Sequence, residues 1–174
     1  MLNRTIFFTI FILFLVTPCI GQTIQGYSFN SYPSQISSSK KATLNLKSNP
    51  NGSAYRTRIR EQYRDGKIDF GGQYITTMWG AGTGMTVGVM VDILTGKIYD
   101  LPLSEENAHR GANHDGNNNI LFKPNSNLFI CYISTNNEIE TLVDLKYSIY
   151  KWNDKDKKFI LQKTKSITAK RIED

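Results

Sequence analysis

Apolar and polar positions alternate most regularly over residues 68–101, IDFGGQYITTMWGAGTGMTVGVMVDILTGKIYDL. The period is that of extended chain, whose successive side chains point to opposite faces. Tyr74, Thr76 and Met78 share one face of a first strand, and Gln73, Ile75, Thr77 and Trp79 share the other. Gly80-Ala81-Gly82-Thr83-Gly84 interrupts the alternation with residues that tolerate a tight reversal. Val87, Val89 and Val91 line a second strand, with Gly88 and Met90 opposite. Leu94-Thr95-Gly96-Lys97 reads as a turn and residues 97–101 as the returning strand. Neither connection is long enough for a parallel crossover, so the pattern predicts an antiparallel meander.

The same pattern recurs downstream at residues 120–123, 128–134, 145–152 and 159–162. Turn residues separate these strands at Pro124-Asn125-Ser126-Asn127, Asn136-Asn137 and Asn153-Asp154-Lys155-Asp156. They are expected to extend the same sheet. Upstream, residues 42–47 alternate around Leu44 and Leu46 as a short strand, and Asn49-Pro50-Asn51-Gly52-Ser53 is a turn that doubles as a helix cap. The period then becomes helical over residues 54–65, with Tyr55, Ile59 and Tyr63 on one face, Arg56, Arg60 and Arg64 on another, and Gly66 as the stop. The arginine row reads as a solvated face, with an anion-binding stripe as the alternative.

The fold class expected from these elements is mostly β, all-β to α+β. It is an antiparallel meander sheet, or a small sandwich or propeller-blade-like arrangement, with one short N-terminal helix. The expected organisation is a signal peptide over residues 1–21, a linker or irregular segment over 22–52, a single β-rich domain with its leading helix over 53–164, and a polar tail over 165–174.

Composition adds a compartment. Arg4 precedes an apolar run over residues 6–16, Pro18 ends it, and Cys19-Ile20-Gly21 offers small residues where a signal peptidase reads. The run is short for a membrane span. Export to the periplasm or the medium is therefore expected, with no transmembrane span once the leader is cleaved. A lipid anchor at Cys19 is the lesser alternative. Loss of Arg4 with the leader lowers the formal net charge from +6 to +5, spread over the chain. A solvated surface explains that charge, and the partners it would suit are another protein or an anionic envelope surface. No nucleic-acid partner is expected, because no recognition motif accompanies the charge. Cys131 then remains as the sole thiol, inside the apolar run Leu128-Phe129-Ile130-Cys131-Tyr132-Ile133, and reads as buried rather than nucleophilic.

Candidate chemistry concentrates in the polar stretch of residues 102–119, long for a loop of a compact domain. It holds Glu105, Glu106, Arg110 and both histidines, His109 and His114, followed by Asp115. Zinc hydrolases place two histidines four apart on a helix. Here they are five apart with Gly111 between them, which discourages a helix. Asp115, Asn117 and Asn119 alternate like the start of a calcium loop, but Ile120 stands where a turning glycine is needed and Ser126 where a bidentate glutamate is needed. The glycine run at 80–84 is followed by a strand pattern and not by the helix a phosphate cradle requires. No catalytic residue, cofactor or metal is therefore assigned, and His109, His114, Asp115, Asn117 and Asn119 stand as the candidates the loop offers. Trp79, Trp152 and the tyrosines read as core, with a sugar- or protein-binding patch as the alternative.

Trp79-Gly80-Ala81-Gly82-Thr83-Gly84-Met85 and Asp92-Ile93-Leu94-Thr95-Gly96-Lys97-Ile98-Tyr99 resemble a group of small exported bacterial proteins without an assigned function. That group carries W-G-C-G-T-x-C, then D-x-x-T-G-K-V-Y and a proline, later P-x-S-x-L before a strand and an aromatic strand ending in tryptophan. Phe70-Gly71-Gly72, Pro124-Asn125-Ser126-Asn127-Leu128 and residues 147–152 fit the corresponding places. Ala81 and Met85 replace the group's two cysteines. The resemblance implies export and a mostly-β fold, and supplies no activity.

These readings favour a non-catalytic binding protein of the envelope or extracellular space. A hydrolase using the His109–Asp115 loop and a lipid-anchored structural protein are the alternatives. Mass spectrometry of the exported protein is expected to find Gln22 at the N-terminus. Retained Met1, or a lipid on Cys19, would contradict the leader assignment.

Overall fold

The computed structural model describes residues 23–82, 84–108, 119–134 and 142–170. Among them, nine strands form three antiparallel sheets, and two short helices lead into the three-stranded one. The chain is mostly β. β1 (Thr23–Ile24) and β2 (Tyr27–Ser28) make a small hairpin. α1 (Pro50–Ala54) and α2 (Arg56–Asp65) follow. β3 (Tyr74–Gly80), β4 (Thr86–Asp92) and β5 (Ile98–Asp100) form the meander. β6 (Ile120–Phe122), β7 (Leu128–Ser134), β8 (Leu142–Asn153) and β9 (Lys158–Lys170) form a second meander.

The helix expected over residues 54–65 is α2, and the turn expected at residues 49–53 is itself a short helix, α1. Asn49 caps α1 by accepting from the Asn51 amide at 2.8 Å, and Pro50 suits the first turn, where its missing N–H costs nothing. Tyr55 leaves helical geometry (φ −114°, ψ 28°) and its ring lies 4.2 Å from that of Trp79. On α2, Ile59 and Tyr63 are buried. The Lys41 ammonium closes the other end, donating to the carbonyls of Tyr63, Arg64 (3.0 Å) and Gly66 (2.7 Å), where the helix dipole favours a cation.

The downstream strands do not extend the first sheet, as the alternation had suggested; they form a second one that packs against it. The reason lies in the first sheet's two apolar faces. Register pairs Ile75 with Val91, Thr77 with Val89 and Trp79 with Val87, and this face meets Ile59 and Tyr63 of α2. The opposite face presents Tyr74, Met78, Met90 and Tyr99 to Phe129, Cys131, Trp152 and Phe159 of the second sheet. A sheet apolar on both sides requires a layer on each. The far face of the second sheet, at Leu128, Ile130 and Ile149, is covered in turn by Phe29 with Ile24, Tyr27 and Tyr32.

Residues 42–47, expected as a strand, are irregular up to a 3-10 turn at Leu46–Ser48. They touch the meander through isolated bonds: the Ala42 amide to the Ile93 carbonyl (2.8 Å), and the Asn45 amide to the Gly96 carbonyl (2.9 Å). The Ser48 hydroxyl, not a backbone carbonyl, accepts from the Ile98 amide at 2.9 Å, so no ladder forms. The segment expected as a linker thus lies against the domain. Further bonds join Ser34 to Asn125 and Ser37 to Gly72. At the other end the expected polar tail begins as strand, because β9 stays paired with β8 as far as Lys170.

Gly96 marks where this arm meets the turn after β4. Its φ is +70°, and a Cβ there would press on the Thr43 carbonyl. Gly96→Ala is expected to cost about 2–4 kcal/mol, from left-handed strain plus displacement of the arm. Urea denaturation reads this, and a loss below about 0.5 kcal/mol would mean the arm is not held there.

Candidate functional site

The most developed polar constellation lies where the two large sheets meet, beside the β8–β9 hairpin. Asp92 ends β4 and organises the turn behind it. One oxygen accepts from the Leu94 amide (2.9 Å) and Gln73 Nε2 (3.2 Å), the other from Thr95 Oγ1 (3.0 Å). On the second sheet, Asn153 Oδ1 accepts from the amides of Lys155 (3.1 Å) and Asp156 (3.2 Å), which tightens the hairpin. Lys157 completes it in the left-handed region at φ +51°. This geometry turns Asp154 and Lys157 back toward the first sheet.

Lys157 Nζ lies 2.9 Å from Tyr74 Oη, 2.9 Å from Asp154 Oδ1 and 3.7 Å from Asp92 Oδ2. It also sits 5.5 Å from the Tyr74 ring centre and 5.8 Å from that of Tyr99. The Tyr74 hydroxyl donates to Asp154 Oδ1, which also accepts from Trp152 Nε1 at 3.2 Å. Burial raises the Tyr74 pKa, and its bond to the Asp154 carboxylate adds to that, so the phenol stays neutral. Partial burial works against the charges of Asp154 and Lys157, but their bonds to Tyr74 and to each other prevail. The carboxyl is held below its usual range and the ammonium above its own.

Above this cluster opens a cleft of about 510 Å³. Its wall includes the aromatic residues Tyr99, Trp152 and Phe159, the polar Asn49 and Asp100, and the lysines Lys157 and Lys158. Asp100 Oδ1 accepts from the side-chain amides of Asn49 (3.1 Å) and Asn51 (3.0 Å), which couples the wall to α1. The ammonium is engaged by three partners, and the phenol is a donor, not a base.

His109, His114, Asp115 and Asn117 fall outside the described residues. Asn119 is described and buried, and its Nδ2 donates to the Tyr132 carbonyl at 2.9 Å, which starts the β6–β7 pairing. Ile120 is already strand, and the Ser126 hydroxyl is bound to the carbonyls of Phe29 (2.9 Å) and Tyr32 (3.0 Å). Glu105 and Glu106 are exposed on a turn that Asn107 fixes through Pro102 and Tyr150. Among the described residues no three His, Cys, Asp or Glu side chains converge as a metal site. Cys131 is fully buried, and burial pushes its thiol up to about 12. Arg56, Arg60 and Arg64 are exposed, and Arg64 pairs with Asp65 at 2.6 Å.

Tyr74, Asp154 and Lys157 were not singled out by the sequence. The signals that mark them are the D-x-x-T-G-K turn at Asp92 and the asparagine-led hairpin at Asn153. Comparison with protein-family models, curated proteins and solved structures finds no match.

A depressed folded-state carboxyl pKa contributes stability that is present above the unfolded value near 3.9 and lost as pH falls through the folded one. Asp154→Asn is therefore expected to cost about 1 kcal/mol at pH 7, a value reduced because Asp154 is half exposed. The gap to wild type should close as pH falls below about 4. A gap that stays constant from pH 7 to pH 3, followed by thermal or urea denaturation, would remove the ionised Asp154 from the account.

Proposed function

We propose that the chain is an exported, non-catalytic binding protein of the bacterial envelope or extracellular space, and that the Tyr99–Phe159 cleft receives part of a protein partner. The observation that carries this reading is the closed charge set beneath the cleft. Lys157 is held by Tyr74, Asp154 and Asp92, so it rigidifies the floor and leaves Asp100, Asn49 and Lys158 of the wall to make contacts. A rigid aromatic floor with a polar rim is the usual construction of a protein-recognition pocket. The leader-like N-terminus and the resemblance to small exported proteins support the compartment. Among the described residues no helix is long and apolar enough to cross a membrane.

The test is affinity capture from the native envelope with wild type and with Asp100→Lys. Asp100 is exposed at the end of a short strand, and the variant gives up its bonds to Asn49 and Asn51, so it should melt a few degrees below wild type and keep the wild-type circular-dichroism spectrum. Loss of the captured partner in the variant alone is the expected result. Equal capture by both proteins would remove the cleft from recognition. Hydrolytic activity that disappears in His109→Ala would overturn the non-catalytic reading.

A further inference from the structure

β9 is the outermost strand of its sheet, and it runs for 13 residues. On its inner side it pairs with β8 along its whole length. Among the described residues no backbone group of β9 bonds to another element on its outer side. A long open edge offers a row of N–H and C=O groups at strand spacing, and folded proteins ordinarily cover, shorten or interrupt such an edge.

Part of this edge is interrupted. The register with β8 shifts between Ile149 and Tyr150, which leaves Gln162 as an extra residue between Leu161 and Lys163. Gln162 Nε2 also covers the Ile160 carbonyl at 3.1 Å. From Lys163 to the end of the strand the ladder is uninterrupted. Register places Lys163, Lys165 and Ile167 opposite Ile149, Tyr147 and Leu145, so all three share one face. On that face Ile167 and Ala169 pack beside Tyr132 and Leu145 as a partly exposed apolar strip. Thr164, Ser166 and Thr168 occupy the other face.

The charge on this strand has one sign. Residues 158–170, KFILQKTKSITAK, contain four lysines and no acidic residue. The nearest acid across the ladder, Asp144, accepts from Thr168 Oγ1 at 2.5 Å and lies on the face away from Lys163 and Lys165. Two copies pairing edge to edge would set lysine-bearing strands against each other, and lysines on an edge disfavour that contact. An extended segment with acidic residues at alternate positions would meet them favourably.

We infer that residues 163–170 of β9 form a strand-addition site for an extended acidic segment of another protein. The segment carries carboxylates opposite Lys163 and Lys165 and small apolar residues beside Ile167 and Ala169. Main-chain bonds supply the affinity and the lysines supply the choice of partner. This surface is separate from the cleft and stands whether or not the cleft binds anything.

The test uses the purified protein and a short acetylated peptide that alternates glutamate with valine. A lysine–valine peptide and a glutamine–valine peptide serve as controls. Binding is followed by calorimetry and by amide hydrogen exchange. The expected result is binding of the glutamate peptide alone, weakening as salt is raised. Every second amide over residues 163–170 should gain protection, because only alternate residues of an edge strand point their N–H outward. Lys163→Glu with Lys165→Glu should weaken that peptide about tenfold or more and transfer binding to the lysine–valine peptide. Three results would overturn the proposal: equal binding of the three peptides, protection located elsewhere, or protection of the same amides without peptide at high protein concentration, which would make the edge a contact between two copies. The salt titration on wild type decides the matter if the double variant does not fold.

Discussion

Contact between the two large sheets depends on an aromatic layer that carries one ionic cluster at its margin. Phe70, Tyr74, Phe129, Trp152 and Phe159 meet with ring centres 4.8–6.2 Å apart, mostly tilted or edge-on. Such geometry adds about 0.5–1.5 kcal/mol per pair beyond the area it removes from water. An aromatic layer alone fixes the distance between sheets better than their lateral position. The Tyr74–Asp154–Lys157 contacts supply the position, because they join β3 to the β8–β9 hairpin through directional bonds. Lys157 also fits the layer chemically: its ammonium faces two rings while its charge is matched by carboxylates.

The remaining layers follow. With one face of the first sheet committed to the second sheet, its other face needs α2, and Trp79 meets Tyr55 at the break between the helices. The second sheet's outer face needs the N-terminal arm, which the turn at 124–127 secures. Ser126 lies at the centre of that turn, holding the carbonyls of Phe29 and Tyr32 while its own carbonyl accepts from Gly71 at 3.1 Å. The Asn127 carbonyl then accepts from the Trp152 amide at 2.8 Å. One short turn therefore ties the arm, the start of β3 and the end of β8 together. The cleft is the gap left beside the ionic cluster, between β5 and the hairpin ends of β8 and β9.

The central meander was legible in the sequence because alternation is a local signal. Tyr74, Ile75, Met78 and Trp79 make both faces of β3 apolar, and the second covering layer that this calls for was not drawn from the alternation. The arm was not legible. Isolated bonds from Ala42 and Asn45, and the space offered by Gly72 and Gly96, hold it, and none of these has a period. The ends of β8 and β9 were underestimated for a similar reason: Ser166 and Thr168 read as tail until the ladder with β8 is known. The site was not legible because Tyr74 and Asp154 stand 80 residues apart and each is unremarkable in its own strand or turn. Sequence reading assigned no site and looked for candidates where polar residues are dense, whereas Tyr74, Asp154 and Lys157 come together only through the packing of the two sheets.

The central claim is that the sheets are positioned by the Tyr74–Lys157 contact across their junction. A double-mutant cycle measures this directly, with Tyr74→Phe, Lys157→Met and the double variant compared by urea denaturation at neutral pH. Tyr74→Phe keeps the ring in the aromatic layer and removes only the hydroxyl, so the cycle isolates the bond from the packing. The account predicts a favourable coupling of about 1 kcal/mol or more. Additive losses, with a coupling within about 0.3 kcal/mol of zero, would mean that the aromatic layer alone positions the sheets.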